Sequence, residues 1–250
     1  MPTPTELERA RAWRTAKLHT ICDELTPWEH GTIARASRYP DYYDFNLARV
    51  ERDAAISVER LIAVAETALG DLGHRRVEVD HVALGERLRP GFKARGWRTD
   101  RLLWMRLEAA PPEGADAPIE EVAYDDAHEL RVTWLEEDFP GGATSAYFRQ
   151  AREVAMRLGA RVLAVRRAGK AIAFAQLERN GGGVEISEVY VHPDHRGRGL
   201  GTALTRAAIR AAGATHDLWI SADDEDRPKH LYARLGFRPV WTAWEFTRWL

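Results

Sequence analysis

The chain has 250 residues, room for two small domains, and its 45 % apolar content is enough for packed cores. A formal net charge of −2 without a basic block argues against a nucleic-acid partner. The single cysteine, Cys22, excludes an internal disulfide and a cysteine-based metal site.

The N-terminus lacks the basic-then-apolar pattern of a signal peptide, and no apolar run approaches membrane-spanning length, so a soluble cytoplasmic protein with no membrane partner is expected. Thr5-Glu6-Leu7-Glu8 fits a capping box that opens a helix, with Leu18, Ile21 and Leu25 on one face and Pro27 as its stop. Two β-like stretches follow, near 31–37 and 43–50. Ser57 caps a helix with Val58, Leu61, Ile62, Ala65 and Leu69 on its apolar face. A strand near 75–82, a short helical piece and a strand near 101–107 complete this half.

Residues 109–118, AAPPEGADAP, have no periodicity and read as a linker. This divides the chain into domains at 1–108 and 119–250. The second half opens with a strand at 119–122. Asp125 or Asp126 is placed to cap a helix, which Pro140-Gly141-Gly142 breaks. After a helix at 145–158, the stretches 161–167 and 170–178 read as a hairpin joined by Ala168-Gly169. Then come a strand at 184–191, a glycine turn, a helix ending at Gly213, a strand at 216–221, a short helix at 228–235 and a last strand at 241–247. Trp241, Trp244 and Trp249 fit sheet packing, with an exposed subset available for a homodimer.

The halves look repeated. Phe92, Gly96 and Trp104 recur at the same offsets as Tyr232, Gly236 and Trp244. The first half, however, has Glu51-Arg52-Asp53-Ala54-Ala55 where the second has its glycine turn, a poor place for a phosphate.

That turn, Arg196-Gly197-Arg198-Gly199-Leu200-Gly201, follows a β-type segment and opens a helix. Helix-start N–H groups lack intrahelical partners and can receive an anion. It lacks the GxxxxGK of a P-loop and the GxGxxG of a dinucleotide fingerprint, and satisfies Arg/Gln-x-x-Gly-x-Gly/Ala. With "EISEVYVHPDHRGRGLG", "TALTRAAIRAA" and "LYARLGFRPV", residues 119–240 resemble the GNAT superfamily of N-acetyltransferases. The resemblance implies an α/β fold with mixed sheets flanked by helices, and a tandem whose first copy is degenerate. Mycothiol synthase is one family built on such a tandem; nothing in these residues singles it out.

The resemblance implies that the turn grips the pyrophosphate of acetyl-CoA through Arg196, Gly197, Arg198, Gly199, Leu200, Gly201 and Thr202. It also implies that Val189, Tyr190 and Val191 pair with the pantetheine arm, at a bulge whose N–H bonds the attacked carbonyl. Tyr232 stands where the family places the general acid for the leaving thiolate. Glu185 falls where some members keep a catalytic glutamate, and Glu188 at a commonly acidic position on the other face; for each, a salt bridge or exposed carboxylate is the competing reading. The implied reaction is transfer of acetyl from acetyl-CoA to a small-molecule or peptide amine by direct attack, without a metal. A non-catalytic acyl-CoA-binding module is the alternative.

Two acidic runs, Glu136-Glu137-Asp138 and Asp223-Asp224-Glu225-Asp226, are candidates for attracting a cationic acceptor or for solvated loops, with Asp226 near a helix cap. Glu225 also stands where the family often has an asparagine that holds CoA. Pro140-Gly141-Gly142 corresponds to an acceptor-binding lid. His192 and His195 read as link residues rather than metal ligands, since no third ligand stands at supporting spacing.

Overall fold

The computed structural model describes residues 4–114, 117–139, 144–225 and 227–250. Pro140-Gly141-Gly142 and Asp226 lie outside them. The chain forms two compact units: Met1–Trp104 with Ala222–Asp226 and Val240–Leu250, and Met105–Ser221 with Arg227–Pro239. The terminal residues 240–250 therefore belong with the first unit, rather than within a contiguous 119–250 domain.

In the first unit, helix α1 (Glu6–Ile21) begins at the expected capping box, where Thr5 Oγ1 accepts from Glu8 N at 3.2 Å and Thr5 N donates to Glu8 Oε2 at 2.7 Å. It stops before Pro27, which lies inside strand β1 (Glu24–Trp28). β1 is an edge strand, the place in a sheet where a residue without an N–H is tolerated. Strand β2 (Gly31–Arg35) follows. Only the second part of the 43–50 stretch is a strand, β3 (Leu47–Val50), after a 3-10 turn at Tyr43–Phe45. Helix α2 (Val58–Leu69), strand β4 (His74–Val79), helix α3 (Val82–Lys93) and strand β5 (Arg98–Leu107) complete the run. β1, β2 and β3 pair antiparallel, and β3 pairs parallel with β4. The last strand of the chain, β11 (Phe237–Trp249), pairs antiparallel with β4 through Trp244–Trp249.

The two faces of this sheet differ. Val77, Val79, Trp244 and Phe246 join Leu61, Ala65 and Phe92 in an apolar core. Trp244 packs so closely that a Cβ on Gly85 would lie 2.0 Å from its Cδ1, which is why that helix position is glycine. Trp241 is buried as well, with Nε1 donating to Asp80 O at 3.1 Å, so sheet packing accounts for both tryptophans.

The opposite face is ionic and buried. Arg14 of α1 reaches Glu78 at 2.7 Å, Arg49 reaches Glu78 at 3.2 Å and Asp80 at 2.8 Å, and Arg76 reaches Glu245 at 2.5 Å. Burial would raise the Glu78 carboxyl, but Arg14 and Arg49 hold it below the ordinary carboxylate value.

The second unit contains strand β6 (Ile119–Val122), helices α4 (His128–Asp138) and α5 (Ser145–Arg157), and strands β7 (Arg161–Arg167), β8 (Lys170–Asn180) and β9 (Gly183–Val191). Helix α6 (Leu200–Ala212), strand β10 (Leu218–Asp223) and helix α7 (Pro228–Arg234) follow. Asp126 accepts from Ala123 N at 3.2 Å at a 3-10 turn, Tyr124–Ala127, that precedes α4. Ala168 and Gly169, at φ 51° and 81°, make the expected tight hairpin turn. β6 to β9 pair antiparallel in sequence order, and β9 pairs parallel with β10.

Each unit is thus a mixed sheet with helices. The order β1-β2-β3-α2-β4-α3-β5 is repeated by β7-β8-β9-α6-β10-α7-β11, with the same antiparallel, antiparallel, parallel pairing. Phe92 and Tyr232 lie in the equivalent helices α3 and α7, and Gly96 and Gly236 follow them with φ of 74° and 94°. Among the described residues, no helix is long and apolar enough to cross a membrane.

Glu78→Gln leaves Arg14 and Arg49 buried with a weakened partner. It is expected to destabilise the protein by about 3–5 kcal/mol, read from urea unfolding. A change below about 1 kcal/mol would show that the ionic face does not support the fold.

Candidate functional site

The glycine turn begins where β9 ends. His192 Nδ1 accepts from Asp194 N at 3.3 Å, and Pro193 starts a 3-10 turn that ends at His195. Gly197 and Gly199 then take φ of 73° and 78°. A Cβ at either position would meet nothing within 4 Å, so the backbone dihedral demands glycine and space does not. Gly199 is the N-cap of α6, with no side chain to cap it. The helical ladder starts at Ala203 N, which donates to Gly199 O at 3.0 Å. The N–H groups of Leu200, Gly201 and Thr202 precede that ladder and have no acceptor within the helix. They stand at the positive end of a 13-residue helix, where an anion can be received.

The two arginines of the turn are exposed and also bond within the unit. Arg196 binds Glu137 of α4 through two bonds, 2.7 and 2.5 Å, and donates from Nε to Val191 O at 3.0 Å. Tyr190 donates to the same carboxylate at 2.7 Å, and the Arg196 guanidinium lies 5.4 Å from the centre of its ring. The Arg196 bond holds Glu137 below its ordinary value, and burial pushes the Tyr190 hydroxyl up. Arg198 donates to Asp194 O at 3.2 Å. Glu137 therefore braces the turn. Asp224 and Glu225 pair with Arg101 and Arg89 in the first unit.

Upstream, β9 contains an irregularity. Gln176 of β8 stands opposite Glu188, but its neighbour Leu177 stands opposite Ile186, so Ser187 is an extra residue. The resemblance implies a bulge at Val189–Val191; it falls at Ser187. Parallel pairing with β10 covers Val184–Ile186 against Leu218–Ile220. β9 then continues five residues to Val191, paired with β8 alone among the described residues. Among the described residues no strand pairs with the β10-facing edge beyond the bulge, where Val191 O accepts from Arg196 Nε, and such an edge can take an extended ligand. Tyr190 turns its side chain into the core with Phe174 and Leu130, and its backbone faces β8 opposite Phe174, so the groups on the β10-facing edge belong to Val189 and Val191.

The bulge also changes the faces. Glu185 and Glu188 are three apart, an odd spacing that predicts opposite faces. Glu185 stands opposite Glu178, and Glu188 opposite Gln176. Gln176 and Glu178 are two apart on one strand and share a face, so the extra Ser187 brings both glutamates to the same side. Glu185 is 3 % exposed. Glu188 forms an ion pair with Arg131 of α4, whose other amino group donates to Gln176 Oε1 at 2.7 Å. This is the salt-bridge reading of Glu188.

Tyr232 is buried in α7, edge-on to Phe237 at 6.3 Å between ring centres. Its neighbour Leu231 would lie 3.6 Å from a Cβ on Gly201, and Val191 3.8 Å away on the other side. The turn, the end of β9 and the middle of α7 therefore converge at Gly201. His192 and His195 have ring centres 5.8 Å apart. Among the described residues, no three His, Cys, Asp or Glu side chains form a group able to hold a metal ion.

Arg131, Gln176 and Ser187 were not among the sequence candidates. Gln176 and Glu178 interrupt the apolar run of β8, a usable signal; nothing marks Arg131 on a helix.

The first unit lacks this arrangement. Ser57 caps α2 by accepting from Arg60 N at 3.2 Å, which occupies a donor that Gly199 leaves open in α6. Asp53 pairs with Arg87 at 2.9 Å beside a shallow hollow of about 390 Å³ lined by Ala54, Ala55 and Ile56.

Residues 159–239 match the family model of the acetyltransferase (GNAT) domain. A mycothiol acetyltransferase of Nocardiopsis dassonvillei is 56 % identical over 45 residues, which are 18 % of this chain and 14 % of that protein's length. A functionally unknown conserved protein from Staphylococcus epidermidis superposes with a TM-score of 0.67 at 14 % identity, over 91 % of this chain and 94 % of that one. A GCN5-related N-acetyltransferase from Kribbella flavida gives 0.53 at 19 % identity, over 95 % of each chain. These two share the fold. The glycine turn lies within the stretch, residues 159–239, that matches the GNAT acetyltransferase domain.

Proposed function

We propose that the protein transfers an acetyl group from acetyl-CoA to an amine acceptor, a small molecule or a peptide, by direct attack in a ternary complex. The observation that carries the reading is the convergence at Gly201 of an uncapped helix start, the open edge of β9 and the helix that holds Tyr232. The N–H groups of Leu200, Gly201 and Thr202 take the pyrophosphate. Arg196 and Arg198 shape the turn, and backbone amides and the helix end supply most of the attraction. The Glu188–Val191 backbone takes the pantetheine arm as an added strand, which points the thioester along β9.

A primary amine has a solution pKa near ~10 and must lose a proton before or during attack. Glu185 is the group assigned to receive it, directly or through water. Glu188 is committed to Arg131 and serves the framework. The amine nitrogen attacks the carbonyl carbon, negative charge develops on the carbonyl oxygen, and a backbone N–H of the open edge bonds it. The C–S bond then breaks, and Tyr232 supplies the proton that leaves with the thiol. Tyr232 is fixed in place by Phe237 and by its own short helix.

Release of free thiol from acetyl-CoA across pooled amines tests the activity. CoA binding without release by any acceptor would leave an acyl-CoA-binding module. Tyr232→Phe is expected to lower kcat by about 10²-fold or more while acetyl-CoA affinity stays within about twofold. Equal rates would remove the general-acid assignment. Gly199→Ala forces a left-handed dihedral on a residue with a Cβ. It is expected to cost roughly 1–3 kcal/mol of stability in thermal or urea unfolding and to weaken acetyl-CoA binding. Unchanged binding would place the pyrophosphate elsewhere.

A further inference from the structure

The two units provide an internal comparison for the open edge. In the first, β2 and β3 pair without a register shift, and β3 stays paired with β4 through Val50 and Val79 to its end. Asp80 N donates to Val50 O at 2.9 Å and extends that pairing. In the second, β8 and β9 carry the Ser187 bulge, and pairing with β10 stops at Ile186, the residue before it. One extra residue bends a strand and shifts the phase of its backbone groups. Whatever holds the bulge in register holds the edge open.

One side chain binds both sides of it. Arg131 is 3 % exposed, with its guanidinium 4.1 Å from the ring centre of Tyr124 and 4.4 Å from that of Phe174. One amino group donates to Glu188, the first paired residue after the bulge; the other donates at 2.7 Å to Gln176, the residue opposite Glu188. Gln176 Nε2 lies 3.3 Å from Ser187 Oγ, the extra residue itself, and 2.9 Å from Glu178 Oε1. A planar fork of donors can hold two acceptors on adjacent strands at once, which a lysine cannot match.

We propose that Arg131 is a positioning residue: through Glu188 and Gln176 it clamps the Ser187 bulge and keeps the Glu188–Val191 edge open for the pantetheine arm of an acyl-CoA. The proposal rests on the acetyl-CoA reading above. It assigns Arg131 no contact with the pyrophosphate, which belongs to the glycine turn.

That separation sets the test. The full chain is titrated calorimetrically with acetyl-CoA and with adenosine 3′-phosphate 5′-diphosphate, which has the pyrophosphate and lacks the pantetheine arm. In Arg131→Met, nucleotide affinity stays within about twofold, acetyl-CoA affinity falls about tenfold, and Arg131→Lys recovers part of the loss. Gln176→Met removes the bonds to Arg131 and Ser187 and carries the same expectation should Arg131→Met fail to fold. Unchanged acetyl-CoA affinity overturns the proposal. Equal weakening of both ligands also overturns it, because the damage is then not confined to the arm. If the unsubstituted protein binds neither ligand, the acetyl-CoA reading is what fails.

Discussion

Pairing along the third strand of each repeat decides which backbone groups that unit leaves without a strand partner. A buried peptide group left without a partner costs on the order of 1–3 kcal/mol, so a strand edge stays open only when the structure or a ligand compensates. In the first unit the issue does not arise at the end of the strand, because β3 is paired to β4 from Ala48 through Val50. In the second, β9 leaves β10 at Ile186. A ligand with its own amides can fill the opened edge, and the pantetheine arm is such a ligand.

The same contrast holds at the two helix starts. A serine cap contributes about 1 kcal/mol to a helix. α2 has that contribution from Ser57, and α6 forgoes it at Gly199. The arginines around the turn follow suit: Arg196 is held by Glu137 and Val191, Arg198 by Asp194. An anion at α6 therefore meets oriented backbone amides, fixed by the fold and in need of little reorganisation.

The turn was legible in the sequence because glycines at positive φ leave a spacing that few other structures require. The Thr5 capping box, the Ala168-Gly169 hairpin and the shared offsets of Phe92 and Tyr232 were legible for similar local reasons. Arg131 and Glu188 are 57 residues apart, and Arg14 and Glu78 are 64 apart. No local pattern joins such pairs, and the alternation in β4, with Glu78 between Val77 and Val79, looks like a strand with one wet face. Its charged side is instead buried against partners from other elements. The bulge was misplaced by a few residues because register belongs to a pair of strands and cannot be read along one.

Register also settles what three glutamates can do together. Without the extra residue, Glu188 would point away from Glu185, and Arg131 would face a different residue of β9. With it, Glu178, Glu185 and Glu188 share one side of the sheet, and Arg131 reaches Glu188 from α4. The corresponding side of the first unit sets Arg14, Arg49 and Arg76 against Glu78, Asp80 and Glu245, a balanced set that locks the sheet. The second unit's side sets Arg131 against Glu188, with Glu178 and Glu185 on the same side. One inserted serine thus sets two properties at once: where β9 parts from β10, and which carboxylates share a face.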